Sequence, residues 1–217
     1  MANTTKLQRA FRSERLLFRA IEDDDADRQW FYTQVQSDPV SFASLDSSLL
    51  RPQIRSRSDA KLSDLQNMLL GVMICLPPNT SYDQPTPIGI LSLDDEAGSN
   101  YRHHHRLAVL AIAVSADHQG SGYGAEAIRW AVDWAFERAN IHSVSLACVE
   151  YNDRAKHLYE KLGFVLEGRL RKCHFHERRW WDVLMFSMLE EEWEAVREKE
   201  SDVRSGIGQV VGKHTYL

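Results

Sequence analysis

The chain has 217 residues, 43% hydrophobic and 26% charged, a balance that suits one globular domain able to bury a real core. A formal net charge of −5 argues against generic nucleic-acid binding, which needs a basic face to neutralise phosphates. Cys75, Cys148 and Cys173 lack CxxC spacing, the first residues lack an apolar signal region, and no run of about 18 apolar residues exists to span a bilayer. A reduced, cytoplasmic protein is expected, with a nuclear location also open, and no membrane or nucleic-acid partner.

In chain order, residues 15–21 read as a strand, and the acids of 22–27 supply a helix start, with the helix running to about Val35. Residues 37–57, rich in Ser, Pro and Arg, read as a loop with short helical turns. Leu62, Leu65 and Leu69 give 58–70 helical spacing, 72–76 is a short strand ended by Pro77 and Pro78, and 88–93 is another strand. Polar residues 94–105 form a turn before the apolar strand 107–114. A glycine loop, a helix over 128–140, a strand over 143–149 and a helix from Asn152 to Leu162 follow. Residues 170–180 read as a hairpin, 181–189 as a late strand, 190–200 as a short helix and 201–217 as a mobile tail.

Gly120, Gly122 and Gly124 stand between an apolar strand and an amphipathic helix, an arrangement that cradles phosphate with backbone N–H groups and the helix N-terminus. The Gly-Lys-Ser/Thr ending of a P-loop is missing, since Ala125-Glu126 follows Gly124. A dinucleotide-binding Rossmann reading survives on spacing, with the small Ala125 in third place and Glu150 at the end of the next strand. The wider pattern is more specific: Gln119-x-x-Gly122-x-Gly124, then Asn152-x-x-Ala155-x-x-x-Tyr159, then Leu162-Gly163-Phe164. In this order and spacing the motifs resemble those of the Gcn5-related N-acetyltransferase (GNAT) superfamily. Glu167-Gly-Arg-Leu-Arg171 and Arg179-Trp-Trp-Asp-Val183 resemble its RimJ/RimL-like branch and the spermidine acetyltransferases.

The resemblance implies an α/β (α+β) fold, a mostly antiparallel twisted sheet with splayed central strands flanked by helices, occupying 1–200 as one domain. It implies acetyl-CoA as cosubstrate and transfer of its acetyl group to a primary amine by direct attack. The backbone of Ile112, Ala113 and Val114 is expected to pair with the pantetheine arm. Gln119, Gly120, Ser121, Gly122, Tyr123 and Gly124 are expected to take the pyrophosphate, and Asn152 to hold the pantetheine. Tyr159 is expected to protonate the leaving thiolate; Asn152 and Tyr159 lie seven residues apart, two helical turns, and face one side. Asn152 also suits a helix N-cap, and Tyr159 a packed core position.

A strand glutamate often serves as base in this branch, but Val109 stands at that place. Of His103, His104 and His105, just before the strand, His105 is taken as the catalytic proton relay. Asp94, Asp95 and Glu96 suit either a solvated turn or attraction of a cationic amine. His174 and His176 share a strand face without further ligand spacing, so no metal is expected. The basic stretch from Arg169 to Arg179 is broken by Glu177 and read as strand pairing, and Trp130 with Trp134 as helix packing. A protein N-terminus, a polyamine and another small amine stay open as acceptor, and monomer and homodimer as assembly. The alternative function is a non-catalytic acyl-CoA-binding module on the same fold.

Overall fold

The computed structural model describes residues 7–45, 49–80, 82–95 and 103–210. The elements are β1 (Leu17–Ala20), α1 (Asp25–Phe31) continuing into a π turn (Tyr32–Gln36), α2 (Pro39–Leu45), α3 (Arg55–Gln66), β2 (Leu70–Leu76) and β3 (Thr86–Asp94). They continue with β4 (Leu107–Val114), α4 (Tyr123–Arg138), β5 (Ser143–Val149), α5 (Asp153–Leu162), β6 (Val165–His176), β7 (Arg179–Leu189) and α6 (Glu190–Val210). One seven-stranded sheet runs in the order β1-β2-β3-β4-β5-β7-β6. Every neighbouring pair is antiparallel except β4 and β5. This is the mixed, mostly antiparallel α/β architecture expected above, and it excludes the parallel Rossmann sheet.

Both sheet faces are covered, because alternate residues of each strand point to opposite sides. Along β2, Val72 and Ile74 join a cluster with Leu91, Ile128, Val144 and Phe186. Met73 and Cys75 join the opposite cluster with Phe31, Val35, Leu62 and Ile90. Trp130 and Trp134 pack as expected: Trp130 stacks on Phe18 with ring centroids 3.7 Å apart, and Trp134 lies against the first cluster. The basic stretch pairs within the sheet, where Arg169 reaches Asp182 at 3.0 Å and Glu150 at 3.1 Å.

Several boundaries differ from expectation. β6, for one, already begins at Val165, ahead of the hairpin read over 170–180. α4 begins at Tyr123, directly after Gly122, so the glycine loop is the helix start itself. The third helix is Arg55–Gln66, because Leu70 already enters β2. α6 runs ten residues past its expected end at 200, through Gly206 and Gly208. Its first half is tied to α4 by Arg129 to Glu200 and Arg197 to Asp133, and from such an anchored start extension by further turns needs no new nucleus. Residues 211–217 of the expected tail lie outside the described residues.

β4 and β5 pair over only Leu107/Ser143, Ala108/Val144 and Val109/Ser145. Beyond them the strands diverge. β4 stays paired with β3 as far as Val114, and β5 stays paired with β7 as far as Val149. Each strand keeps its outer ladder, so the inner edges open without unravelling the sheet.

The acids of 22–27 do more than start a helix. Asp24 caps α1 by accepting from the Asp27 amide at 2.8 Å, while Asp27, only 2% exposed, takes a bidentate grip from Arg19 at 2.7 and 2.6 Å. Burial pushes the Asp27 pKa up, but the Arg19 bonds and the Glu22 amide pull it net below the ordinary value. Removing one partner of such a pair strands the other charge, so Asp27→Asn is expected to cost about 3 kcal/mol in urea unfolding at pH 7. Because the folded pKa is depressed, the share tied to ionisation is present above about pH 4. It is lost as pH falls through the folded value, and wild type and variant converge in acid.

Candidate active site

The gap between β4 and β5 is a cleft of about 310 Å³. β4 supplies Ile112, Ala113 and Val114, the loop and α4 supply Gln119 and Gly124, and α5 supplies Asn152 and Tyr159. These are seven of the eleven binding residues expected from sequence, drawn from positions 47 apart in the chain. The amide of Ser115 donates to Ile88 O at 2.9 Å, toward β3, so strand alternation turns the peptide groups of Val114 and Ile112 toward the cleft. An extended amide-bearing ligand could pair with that free edge.

Gly120 and Gly122 have φ of +79° and +82°, and no side chain caps α4. At such angles an L side chain costs about 1–3 kcal/mol, so glycine is what lets the loop turn directly into a helix. The first helical bond is Glu126 N to Gly122 O, which leaves the amides ahead of it to meet an anion. Gly120, Ser121, Gly122 and Tyr123 lead into the cleft without lining it; of the three loop glycines, Gly124 lines it.

Two arginines that the sequence reading missed brace this loop. Arg15 donates to Ser121 O at 3.0 Å, stands over the Tyr123 ring at 4.8 Å and pairs with Glu126 at 2.7 Å. Burial pushes the Glu126 carboxyl up, but bonds from Ser13 and Arg15 bring it net below its usual value, so it remains a charged anchor. Arg154 lines the cleft and donates to Gln119 Oε1 at 2.7 Å, while Gln119 Nε2 donates to Val114 O at 2.8 Å. The Gln119 amide is thus spent on fixing the strand end, and the Arg154 cation is what faces the cleft. Arg154 sits two residues after Asn152 and was readable from that motif; Arg15, more than 100 residues from its partners, was not.

Asn152 does serve as N-cap of α5, its Oδ1 accepting from the Ala155 amide at 3.1 Å, and it also lines the cleft. Tyr159 is 8% exposed and packs edge-on to Phe186, with its hydroxyl free of any partner among the described residues. Burial, with Cys148 nearby, pushes its pKa up to about 12. Such a phenol stays protonated across the physiological range and is available as a donor. Cys148 is itself pushed up to about 11 by burial and is a poor nucleophile.

His105 is not brought to the cleft. It is exposed in the short turn His103–His105 ahead of β4, and the five strand steps from Leu107 to Ile112 alone span roughly 17 Å. The relay expected of it finds no geometric support. Val109, standing where a glutamate was sought, pairs with Ser145 and Asp94. Asp94 and Asp95 line neither chamber, and Glu96 lies outside the described residues. His174 and His176 instead pack around Tyr151, whose hydroxyl donates to Ala43 O at 3.1 Å and secures α2 over the cleft mouth. Among the described residues no cluster of three His, Cys, Asp or Glu could hold a metal, and no helix is long and apolar enough to cross a membrane.

A second chamber of about 260 Å³ opens on the other sheet face, between β3, β4, α3 and the α1 π turn, and shares Ile112 and Ala113 with the first. A group held in one chamber therefore meets a group in the other across two residues of β4.

Comparison with known proteins agrees with this fold. Residues 51–164 match the model of the acetyltransferase (GNAT) family. A spermidine N(1)-acetyltransferase of Vibrio cholerae is 36% identical over 89 residues, 41% of this chain and 51% of that protein. Its counterpart from Escherichia coli is 38% identical over 68 residues, 31% of this chain and 37% of that one. The chain thus spans about half the length, or less, of these curated relatives. Among solved structures, the V. cholerae spermidine N-acetyltransferase in complex with CoA and spermine superposes with a TM-score of 0.67 at 23% identity, covering 83% of this chain and 99% of that one. A GNAT-family acetyltransferase from Bacillus anthracis gives 0.66 at 20% identity, over 83% and 98%.

If the cleft receives phosphate, Arg154→Ala should weaken coenzyme A binding about ten-fold in calorimetry, the worth of one partly screened charge-assisted bond, with the melting temperature unchanged. An unchanged affinity would remove Arg154 from the site.

Proposed function

The chain belongs to the acetyltransferase (GNAT) family, and on that premise we propose that it transfers the acetyl group of acetyl-CoA to a primary amine by direct attack. The observation that carries this reading is a protonated, unpartnered tyrosine facing the cleft formed by a split sheet, with a chamber for the second substrate adjoining it. Bound acetyl-CoA would supply an activated thioester. The chain's own groups account for the rest. The N–H groups of Ile112 and Val114, with the Ile112 carbonyl, orient an extended amide arm, while the Val114 carbonyl is held by Gln119, and the uncapped start of α4 with Arg154 takes the phosphates. A backbone N–H of the same edge, aimed at the developing oxyanion, is worth roughly 3 kcal/mol of barrier. Tyr159 gives its proton to the departing sulfur. A free amine reaches the reaction from the second chamber, its proton released to solvent through the mouth at Lys61 and Asp64, so no strand carboxylate is required.

Within the family we place the chain in the RimJ/RimL-like branch, on Glu167-Gly-Arg-Leu-Arg171 and Arg179-Trp-Trp-Asp-Val183. A polyamine, a protein N-terminus and another small amine all remain acceptors of the right chemistry. A non-catalytic acyl-CoA-binding module would retain the cleft but have no use for an unpartnered phenol beside it.

Calorimetry with acetyl-CoA, using NADH as control, tests the cleft, and Tyr159→Phe tests the chemistry. The variant should retain acetyl-CoA affinity and lose about 10²–10⁴ in kcat. With the phenol at about 12, the wild-type rate should rise with pH as the amine deprotonates and show no alkaline fall below about pH 11. Turnover undiminished in Tyr159→Phe would remove the donor role.

A further inference from the structure

The second chamber has its own chemistry. Its walls are largely apolar, with Phe31, Val35, Phe42, Leu65 and Ile90 among them. Among the described residues the lining carries two charged side chains, Lys61 and Asp64, of opposite sign. Asp64 is exposed, and the Lys61 ammonium lies 5.5 Å from the Phe42 ring. Deeper in, Gln36 is only 7% exposed, and its Oε1 is buried without a hydrogen-bond partner among the described residues. A buried acceptor left unmade is costly, and ligand-binding chambers are where such an atom finds a use. The π turn explains its position. Ser37 N bonds to Tyr32 O at 2.8 Å, an i→i+5 link, so the wider turn brings Gln36 onto the face of Phe31, where a regular helix would carry it past.

Resting on the reading of this chain as an amine acetyltransferase, we infer that the acceptor is a monoamine with a short apolar body, and that Gln36 Oε1 accepts an N–H from its reacting amino group. An amine seated against Gln36 has the apolar walls around its carbon skeleton and the shared Ile112 and Ala113 ahead of its nitrogen. A polyamine fits this lining poorly. Each further ammonium would need a carboxylate or water, and among the described residues of the lining the one carboxylate is the exposed Asp64. At about 260 Å³ the chamber is also at the small end of ligand sites. Gln36 is thus a specificity-determining residue that no motif marks, and the preferred acceptor differs from the one in the names of the spermidine-acetylating relatives.

The experiment compares 2-phenylethylamine with spermidine, at saturating acetyl-CoA, in wild type, Gln36→Leu and Gln36→Glu. The expected result is a kcat/KM for 2-phenylethylamine at least about ten-fold above that for spermidine, the difference that one unpaired buried charge readily makes. Gln36→Leu should lose about ten-fold in kcat/KM for the monoamine, mainly through KM. Gln36→Glu retains an acceptor oxygen, so it should recover the monoamine reaction and narrow the gap to spermidine. Acetyl-CoA affinity and the melting temperature, measured on all three proteins, separate a binding effect from misfolding. Preference for spermidine, or a neutral Gln36→Leu, with acetyl-CoA binding intact, overturns this inference and leaves the proposed activity standing. Failure to bind acetyl-CoA or to acetylate either amine overturns the proposed activity, and this inference with it.

Discussion

The parting of β4 from β5 after three paired residues is the constraint on which the rest of the molecule depends. Two parallel strands that stayed paired to their ends would bury every edge amide and leave no entry between them. Here β4 leans on β3 through Gly89/Val114 and β5 on β7 through Val149/Val183, so each strand is secured on its outer side alone. The inner edge of β4 is then an unfilled ladder inside the sheet rather than at its border. Polar backbone groups in such a place call for a ligand that brings its own amides. Nearly every feature of the site follows from this gap: α5 starts where β5 ends and lays Asn152 and Tyr159 along one wall, while Gln119 ties off the end of the other.

Charge is arranged locally against the bulk. A chain with net charge −5 places Arg15 and Arg154 around an uncapped helix start, and anchors the first with Glu126 so that the glycine loop is held from outside. Farther from the cofactor side, the buried Arg19–Asp27 pair fixes the beginning of α1. That same segment, through its π turn, supplies Phe31, Val35 and Gln36 to the second chamber. The buried ion pair and the wall of the second chamber are therefore linked through one short stretch of chain. Loosening Asp27 would be felt in the second chamber, even though Asp27 lines neither chamber. Tyr159 is buried deeply enough to stay protonated, yet its hydroxyl has no partner among the described residues.

What the sequence by itself determined was local. Strands 107–114 and 143–149 were legible to the residue, because an apolar run bounded by turn residues has few other ways to fold. The glycine loop and the Asn152/Tyr159 spacing carry their geometry within a dozen residues, so their joint appearance in one cleft could be expected from the motif alone. Only the tertiary structure decided what depends on distant segments meeting. His105 is next to the right strand in sequence but at the wrong end of it, since an extended chain moves about 3.3 Å per residue and carries neighbours apart. Arg15, Tyr151 and Gln36 act through partners or walls supplied by segments remote in the chain, and no periodicity records such meetings. A motif fixes how residues on one element are spaced; which two elements face each other across a gap is settled by packing.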